Sequence, residues 1–265
     1  MASVDHNKSI GPYFDSTGKP VLRDSVIVVA DILGYSREIK LASQLGQSSP
    51  FLNFVYSALK DSFRNVDDPS GKKWIAKMMT DNLVIAYPVL GKGVGSFEFS
   101  QACYEIGHFQ REMMKYGLPI RGGISVGNIH VSDLLVLPSE NILAEMVEAE
   151  AIASMPRIVL LDSSKKFLSL HREIFEEEEI SHLLWEDSDS AQFVNYLRPL
   201  SRPFLKEGRD LLLAHKQFIE GRLKEFSQRQ RIYFKYVWTA NYHNKFCSSE
   251  PEFSTPEFLI ESRST

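Results

Sequence analysis

Cysteine is nearly absent from this 265-residue chain. Cys103 and Cys247 are the only two, and they lack the close spacing of a metal knuckle. Their scarcity excludes a disulfide-built fold and points to a reduced, cytoplasmic setting. An excess of basic charge is missing too. The formal net charge is −4, which argues against a general nucleic-acid binder. No apolar run approaches about 18 residues, so no membrane span is expected. Met1 to Pro20 has no apolar core of the secretory kind. The seven histidines show no paired metal spacing, and there is no internal repeat. What remains is an ordinary globular composition, 43% hydrophobic and 24% charged.

Within that composition, strands alternate with helices. Val26 to Ala30 is an uninterrupted apolar run that fits a buried strand. A helix is expected from near Ser36, broken over Gly46 to Pro50, and continued by Phe51, Phe54, Val55, Ala58, Leu59 and Phe63 at helical spacing. Asp67 to Gly71 reads as a turn. Trp74 to Met79 and Leu83 to Tyr87 read as a tight hairpin with Thr80-Asp81-Asn82 at its tip. A helix over Phe97 to Tyr116 and a strand over Pro119 to Gly127 follow, the strand returning through Asn128 to Leu137. Then come a helix (Ile142 to Ser154), a strand (Pro156 to Leu161) and a short helix (Ser163 to Leu170). Glu176 to Glu179 is a solvated acidic run. Leu183 to Trp185 and Gln192 to Leu197 form a hairpin, and one long amphipathic helix from Glu207 to Ile232 continues to Phe246. The class is α/β in the α+β sense, one sheet covered by helices. Residues 1–20 read as a flexible arm, 21–165 as the core, 166–247 as a hairpin and helices packed on it, and 248–265 as a polar tail.

Two segments carry chemistry. Val26-Ile-Val-Val-Ala-Asp31 and Trp74-Ile-Ala-Lys-Met-Met-Thr-Asp81 each place one carboxylate in or at the end of an apolar strand-like run. Such a carboxylate is costly to bury unless its charge is offset. Two of them on adjacent strands suit hard divalent cations, the apparatus of phosphoryl and nucleotidyl transfer. Taken singly, Asp31 also suits a helix N-cap and Asp81 a hairpin turn.

The order of these elements resembles the class III nucleotide cyclase catalytic domain. The resemblance is carried by Asp31-Ile-Leu-Gly-Tyr-Ser36, by Lys77-Met-Met-Thr-Asp81 and by Leu118-Pro-Ile-Arg-Gly-Gly-Ile-Ser-Val-Gly127, over about residues 24–162. It implies a mostly antiparallel sheet with a βαββαβ core. Two further stretches, Glu148-Ala-Glu-Ala-Ile-Ala-Ser-Met-Pro-Arg-Ile-Val159 and Lys235-Tyr-Val-Trp-Thr-Ala-Asn-Tyr-His-Asn244, resemble the cyclases of bacterial Pycsar antiphage systems. That likeness implies a uridylate cyclase before a cytidylate cyclase. Such an enzyme converts UTP or CTP to the cyclic monophosphate and pyrophosphate, and the product signals to a separate effector protein. It also implies a homodimer, since the family's sites lie at a dimer interface.

On this reading Asp31 and Asp81 hold two Mn²⁺ or Mg²⁺ ions, with the carbonyl of Ile32 as a further ligand. Leu33, Gly34, Tyr35 and Ser36 lead into a helix N-terminus whose amides suit the β- and γ-phosphates. Tyr35 and Phe51 are expected to pack rather than stack on a base. Lys77 occupies the family's base-reading position, and Arg121 is a candidate phosphate ligand. Arg157 is expected to tie a strand end to nearby acids. One departure stands out. The family places an Asn and, four residues on, an Arg on the helix matching Ile142 to Ser154; here Asn141 is followed at that distance by Glu145. Two alternatives stay open: an adenylate cyclase, which Lys77 also suits, and a catalytically silent nucleotide-binding domain. A diguanylate-cyclase palm is disfavoured, because Thr80-Asp81-Asn82 lacks that family's glycine-rich acidic hairpin.

Overall fold

The strand β1 (Arg23–Ile32) runs through the middle of the molecule and is buried on both faces. Its alternation divides the core. Val26, Val28, Ala30 and Ile32 point into one cluster, while Ile27 and Val29 point into the other. That period of two is what an extended backbone imposes on an apolar run. The computed structural model describes residues 11–63, 74–91, 93–177, 180–198 and 206–261.

After β1 come α1 (Tyr35–Gln44) and α2 (Ser48–Phe63), with the break at residues 45–47. Pro50 lies in the first turn of α2, where its missing N–H removes no helix bond. The hairpin is β2 (Ile75–Met79) and β3 (Asn82–Pro88), followed by α3 (Ser96–Lys115). The expected turn at Asp67 to Gly71 lies outside the described residues. The strand β4 (Ile120–Val131) is longer than expected and returns through only the short β5 (Val136–Pro138), so the bend falls after Val131 rather than at Gly127. Next are α4 (Glu140–Ala153), β6 (Ile158–Leu160), α5 (Asp162–Leu170) and α6 (Arg172–Glu177). The second half of the acidic run at Glu176 to Glu179 is outside the described residues. The chain continues with β7 (Leu184–Glu186), β8 (Gln192–Val194), α7 (Lys206–Glu225) and α8 (Gln230–Ser249).

The fold is mixed α/β. Its eight strands form one sheet in the order β2-β3-β1-β4-β6-β8-β7, with β5 on β4. Among the described strands only β4 and β6 pair in parallel. The first seven elements give the expected βαββαβ order, with two helices in the first crossover. Helices α2 and α3 cover the first face, and α4, α7, α8 and the C-terminal segment cover the second.

Three further expectations need correction. The single long helix through Ile232 to Phe246 is two helices broken at residues 226–229. Folding back lets Leu212 and Ile219 on α7 and Tyr236 and Phe246 on α8 all reach buried positions. The described half of the N-terminal arm is not loose. Tyr13 is fully buried, bonds the Ser25 hydroxyl at 2.9 Å, and Phe14 bridges to Pro20. The polar tail is docked as well. Phe253, Phe258 and Ile260 are buried, and the Asn244 side chain bonds both the N–H and the C=O of Ile260 at 2.8 Å. Apolar residues spaced along a polar segment were enough to anchor both ends.

Candidate functional site

Antiparallel pairing assembles the site. Asp31 faces Asn82 across β1 and β3 and faces Arg121 across β1 and β4. Cross-strand partners share a face, so Asp31 and Arg121 project to the second face of the sheet. Asp81 directly precedes Asn82, which brings both expected carboxylates to one end of neighbouring strands. Lys77 pairs with Val84, which pairs with Val29. It therefore lies on the same face as Asp31, one pleat row away.

The hairpin tip has a local cause. Thr80 adopts a positive φ of 60° at the first loop position of a two-residue turn, the conformation such connections demand. Its hydroxyl is 2.9 Å from Asp81 Oδ1 and steadies that carboxylate. On the other side of β1, Gly122 has no room for a side chain. A Cβ there would lie 1.9 Å from the Val29 carbonyl oxygen. The bare backbone lets β4 approach β1 beside the Asp31–Arg121 pair.

Asp31 is 9% exposed, and its carboxylate meets Arg121 Nη2 at 3.3 Å and Nε at 3.5 Å. Arg121 also pairs with Glu150 on α4. Burial raises the Asp31 pKa, Arg121 pulls it down, and the negative charge of Asp81 raises it further. The two carboxylates thus feel one another in a partly desolvated place, which is the electrostatic condition a divalent cation relieves.

The loop after β1 answers the expectations unevenly. Ile32 places its side chain in the first core cluster, so only its main chain is available to the site. The Leu33 amide is already committed to the Pro119 carbonyl at 2.8 Å and is not free for a phosphate. Gly34 is the N-cap of α1 at φ 83°, and a Cβ there would meet nothing within 4 Å. Its left-handed backbone is what calls for glycine. Helix geometry leaves the amides of Tyr35 and Ser36 without intrahelical acceptors. The Tyr35 ring packs on Phe51 at 5.8 Å, as expected of a core residue.

Lys77 Nζ bonds Asp133 Oδ1 at 3.0 Å, so the loop between β4 and β5 reaches over this face. Arg157 is fully buried and paired to Asp187 and Asp189, a structural tie rather than a ligand. Glu145, at the position of the missing arginine, accepts from the Ser163 amide and hydroxyl at 2.8 and 2.6 Å. It anchors α4 to α5 and does not supply a positive charge.

Two contributors escaped the sequence reading. Glu150 and Lys235 both act on the Asp31–Arg121 pair, Glu150 by ion pairing with Arg121 and Lys235 through its charge. The signal was present, because each lies inside one of the two stretches that resemble the Pycsar cyclases.

The donor set fits hard cations. Two carboxylates and a strand-end carbonyl are oxygen ligands of the kind Mg²⁺ and Mn²⁺ take. Among the described residues no group of three or more His, Cys, Asp or Glu side chains converges to hold an ion alone. Mg²⁺ bound through one or two carboxylates usually shares its remaining ligands with water and substrate phosphates, so this set suits an ion carried in with a nucleotide.

No family model matches the chain, and no curated protein matches it. Among solved structures, one match is the crystal structure of the adenylyl cyclase CyaB from P. aeruginosa. It is 13% identical, has a TM-score of 0.39, and covers 56% of this chain and 81% of that one.

Proposed function

We propose that this chain is a pyrimidine nucleotide cyclase, acting on UTP before CTP. Its cyclic monophosphate would serve as a signal to a separate effector in antiphage defence. The observation that carries the cyclase reading is the meeting of Asp31 and Asp81 at one end of β1 and β3, where Asp81 raises the Asp31 pKa.

In the reaction the ribose 3′ oxygen bonds to the α-phosphorus, and the bond from α-phosphorus to the bridging oxygen of the β-phosphate breaks. Pyrophosphate leaves, and the hydroxyl proton passes to water. Asp31, Asp81 and the Ile32 carbonyl are the residues that would hold two divalent cations, which supply Lewis acidity at the attacking and leaving oxygens. The chain's own groups do the positioning. Tyr35 and Ser36 present first-turn amides of α1 to phosphate oxygens. Arg121, which pairs with Asp31 and Glu150 in this structure, is the strand-borne cation that would meet a phosphate oxygen. Lys77, on the same face, is placed to meet a base.

The pyrimidine assignment is supported by the two Pycsar-like stretches, which pack on one another. The Arg157 guanidinium lies 5.6 Å from the Trp238 ring. The homodimer is supported by an apolar surface. Leu134 and Leu137 around the β4–β5 bend and Leu143 and Val147 one turn apart on α4 are exposed, Leu134 by 89% and Val147 by 73%.

Product formation from ATP, GTP, CTP and UTP with Mn²⁺, read by mass spectrometry, tests the assignment. Cyclic UMP or cyclic CMP is the expected product. Cyclic AMP would favour the adenylate reading, which the position of Lys77 also suits. Nucleotide binding without product would favour a silent domain. Asp31→Ala and Asp81→Ala should each lower turnover at least about a hundredfold, the scale of a few kcal/mol of lost transition-state stabilisation, while the chain stays folded. Unchanged turnover in either variant refutes the metal assignment.

A further inference from the structure

Arg37 stands at the wrong end of its helix. It is the third residue of α1, in the first turn, where the helix dipole favours acids and disfavours a cation. Its side chain reaches across to the bend between α7 and α8. The guanidinium lies 4.5 Å from the centroid of the Phe226 ring. Its Nη2 donates to Glu225 Oε1 at 3.4 Å and to Glu38 Oε1 at 2.5 Å. Glu225 is the last residue of α7, and Phe226 follows it into the bend.

That bend is firmly built. Phe226 is buried, and Tyr236 on α8 stacks on it with ring planes 7° apart and centroids 5.7 Å apart. Arg222 Nη1 donates to Glu225 Oε2 at 2.7 Å, which steadies the carboxylate whose other oxygen meets Arg37. Helix α1, by contrast, is held by little. Of its described residues only Ala42 is buried, while Ile39 and Leu41 are exposed. Tyr35 touches Phe51 on α2. Arg37 therefore ties the first turn of a loosely packed helix to a rigid corner of the C-terminal pair. The same turn carries the amides of Tyr35 and Ser36, which have no intrahelical acceptors.

We propose that Arg37 is a positioning residue: by clamping the first turn of α1 onto Glu225 and Phe226, it fixes where the Tyr35 and Ser36 amides stand relative to Asp31. Through this one side chain the C-terminal helices govern nucleotide affinity without touching the nucleotide. The proposal rests on reading Asp31 and Asp81 as the nucleotide site. It also accounts for a cation at a helix N-terminus, since the contacts with Phe226 and Glu225 offset what the dipole costs.

Two readouts on the full chain test it. Hydrogen exchange reads the clamp with no ligand present. Arg37→Ala should speed exchange of the Ile39 to Ala42 amides severalfold and leave β1 and α3 as they are. Arg37 is 34% exposed, so the variant should stay folded. Calorimetric titration with UTP and Mn²⁺ reads the consequence. Arg37→Ala should weaken binding about five- to tenfold, the scale of one lost cation–π contact with its ion pair. In turnover, KM should rise more than kcat falls. Phe226→Leu keeps an apolar side chain in the bend but removes the aromatic face, so it should reproduce part of the loss. The double variant should bind no more weakly than Arg37→Ala alone, because both changes break one contact. Unchanged UTP binding in Arg37→Ala, unchanged exchange in α1, faster exchange throughout the chain, or losses that add in the double variant would each overturn the proposal. Failure of the underlying reading looks different. UTP binding and turnover that survive Asp31→Ala remove the nucleotide site and the proposal with it, whereas binding lost in Asp31→Ala and kept in Arg37→Ala removes the role of Arg37 alone.

Discussion

A single atom's absence sets the spacing of this site. Gly122 puts its α-carbon against the backbone of Val29 and Ala30, where a Cβ would sit 2.7 Å from the Ala30 α-carbon. Only the β1 backbone could yield. Gly122→Ala should therefore cost about 1–3 kcal/mol, the range for overpacking a tight contact, and move Arg121 away from Asp31. Chemical denaturation measures the first effect; a larger loss of turnover than of stability reports the second. Lys77 makes a different prediction. It touches Asp133, not Asp31 or Asp81, so under the proposed function Lys77→Ala should alter the ranking of the four nucleotides and leave the Mn²⁺ dependence unchanged. An unchanged ranking removes Lys77 from base recognition. Asp31 and Asp81 stood out in the sequence as carboxylates in or at the end of apolar strand-like runs, and Lys77 through its place in the family motif. That the Leu33 amide is spent on Pro119 was not legible, because that bond joins residues 86 positions apart in the chain.

At the scale of elements, α7 and α8 are joined by a buried chain of hydrogen bonds. His243 Nε2 lies 2.9 Å from the Phe258 carbonyl, which can only accept, so that nitrogen carries hydrogen. His243 Nδ1 must then accept from His215 Nδ1 at 2.9 Å, and His215 Nε2 accepts from the Tyr196 hydroxyl at 3.0 Å. Both rings are neutral in this arrangement. Burial holds the His215 pKa well below its usual range, and it draws that of His243 from 6.5 to about 4, with Lys216 pushing the same way. The unfolded chain takes up protons near pH 6.5 that the folded chain refuses, so stability is full above that pH and falls as pH drops towards 4. The loss from His243 alone should be roughly 3 kcal/mol, readable as a falling melting temperature across that interval. His243→Gln keeps a donor towards Phe258 and should flatten the decline. A slope identical to wild type would show that these histidines do not govern it.

For the whole molecule, the exposed apolar residues on α4 and the β4–β5 bend predict self-association. Val147→Asp should convert a dimer to a monomer in light scattering while leaving the circular dichroism spectrum unchanged. A variant that stays dimeric places the interface elsewhere. Such an interface would be isologous, and each chain would bring both Asp31 and Asp81.

The elements were open to reading because the forces that form them are local. An apolar run of five residues makes β1, helical spacing makes α2 and α3, and turn chemistry makes the β2–β3 hairpin around Asp81. Two carboxylates at strand ends were therefore visible in the sequence alone. Distance along the chain hid the rest. The fold-back after Phe226, the docking of Phe258 against the second face, and the pairing of Glu150 on α4 with Arg121 on β4 each depend on which surfaces meet. Burial of apolar area drives such meetings without regard to sequence separation, so local pattern cannot announce them. The sequence by itself determined the sheet and its acidic pair. Tertiary packing decided which cations surround that pair.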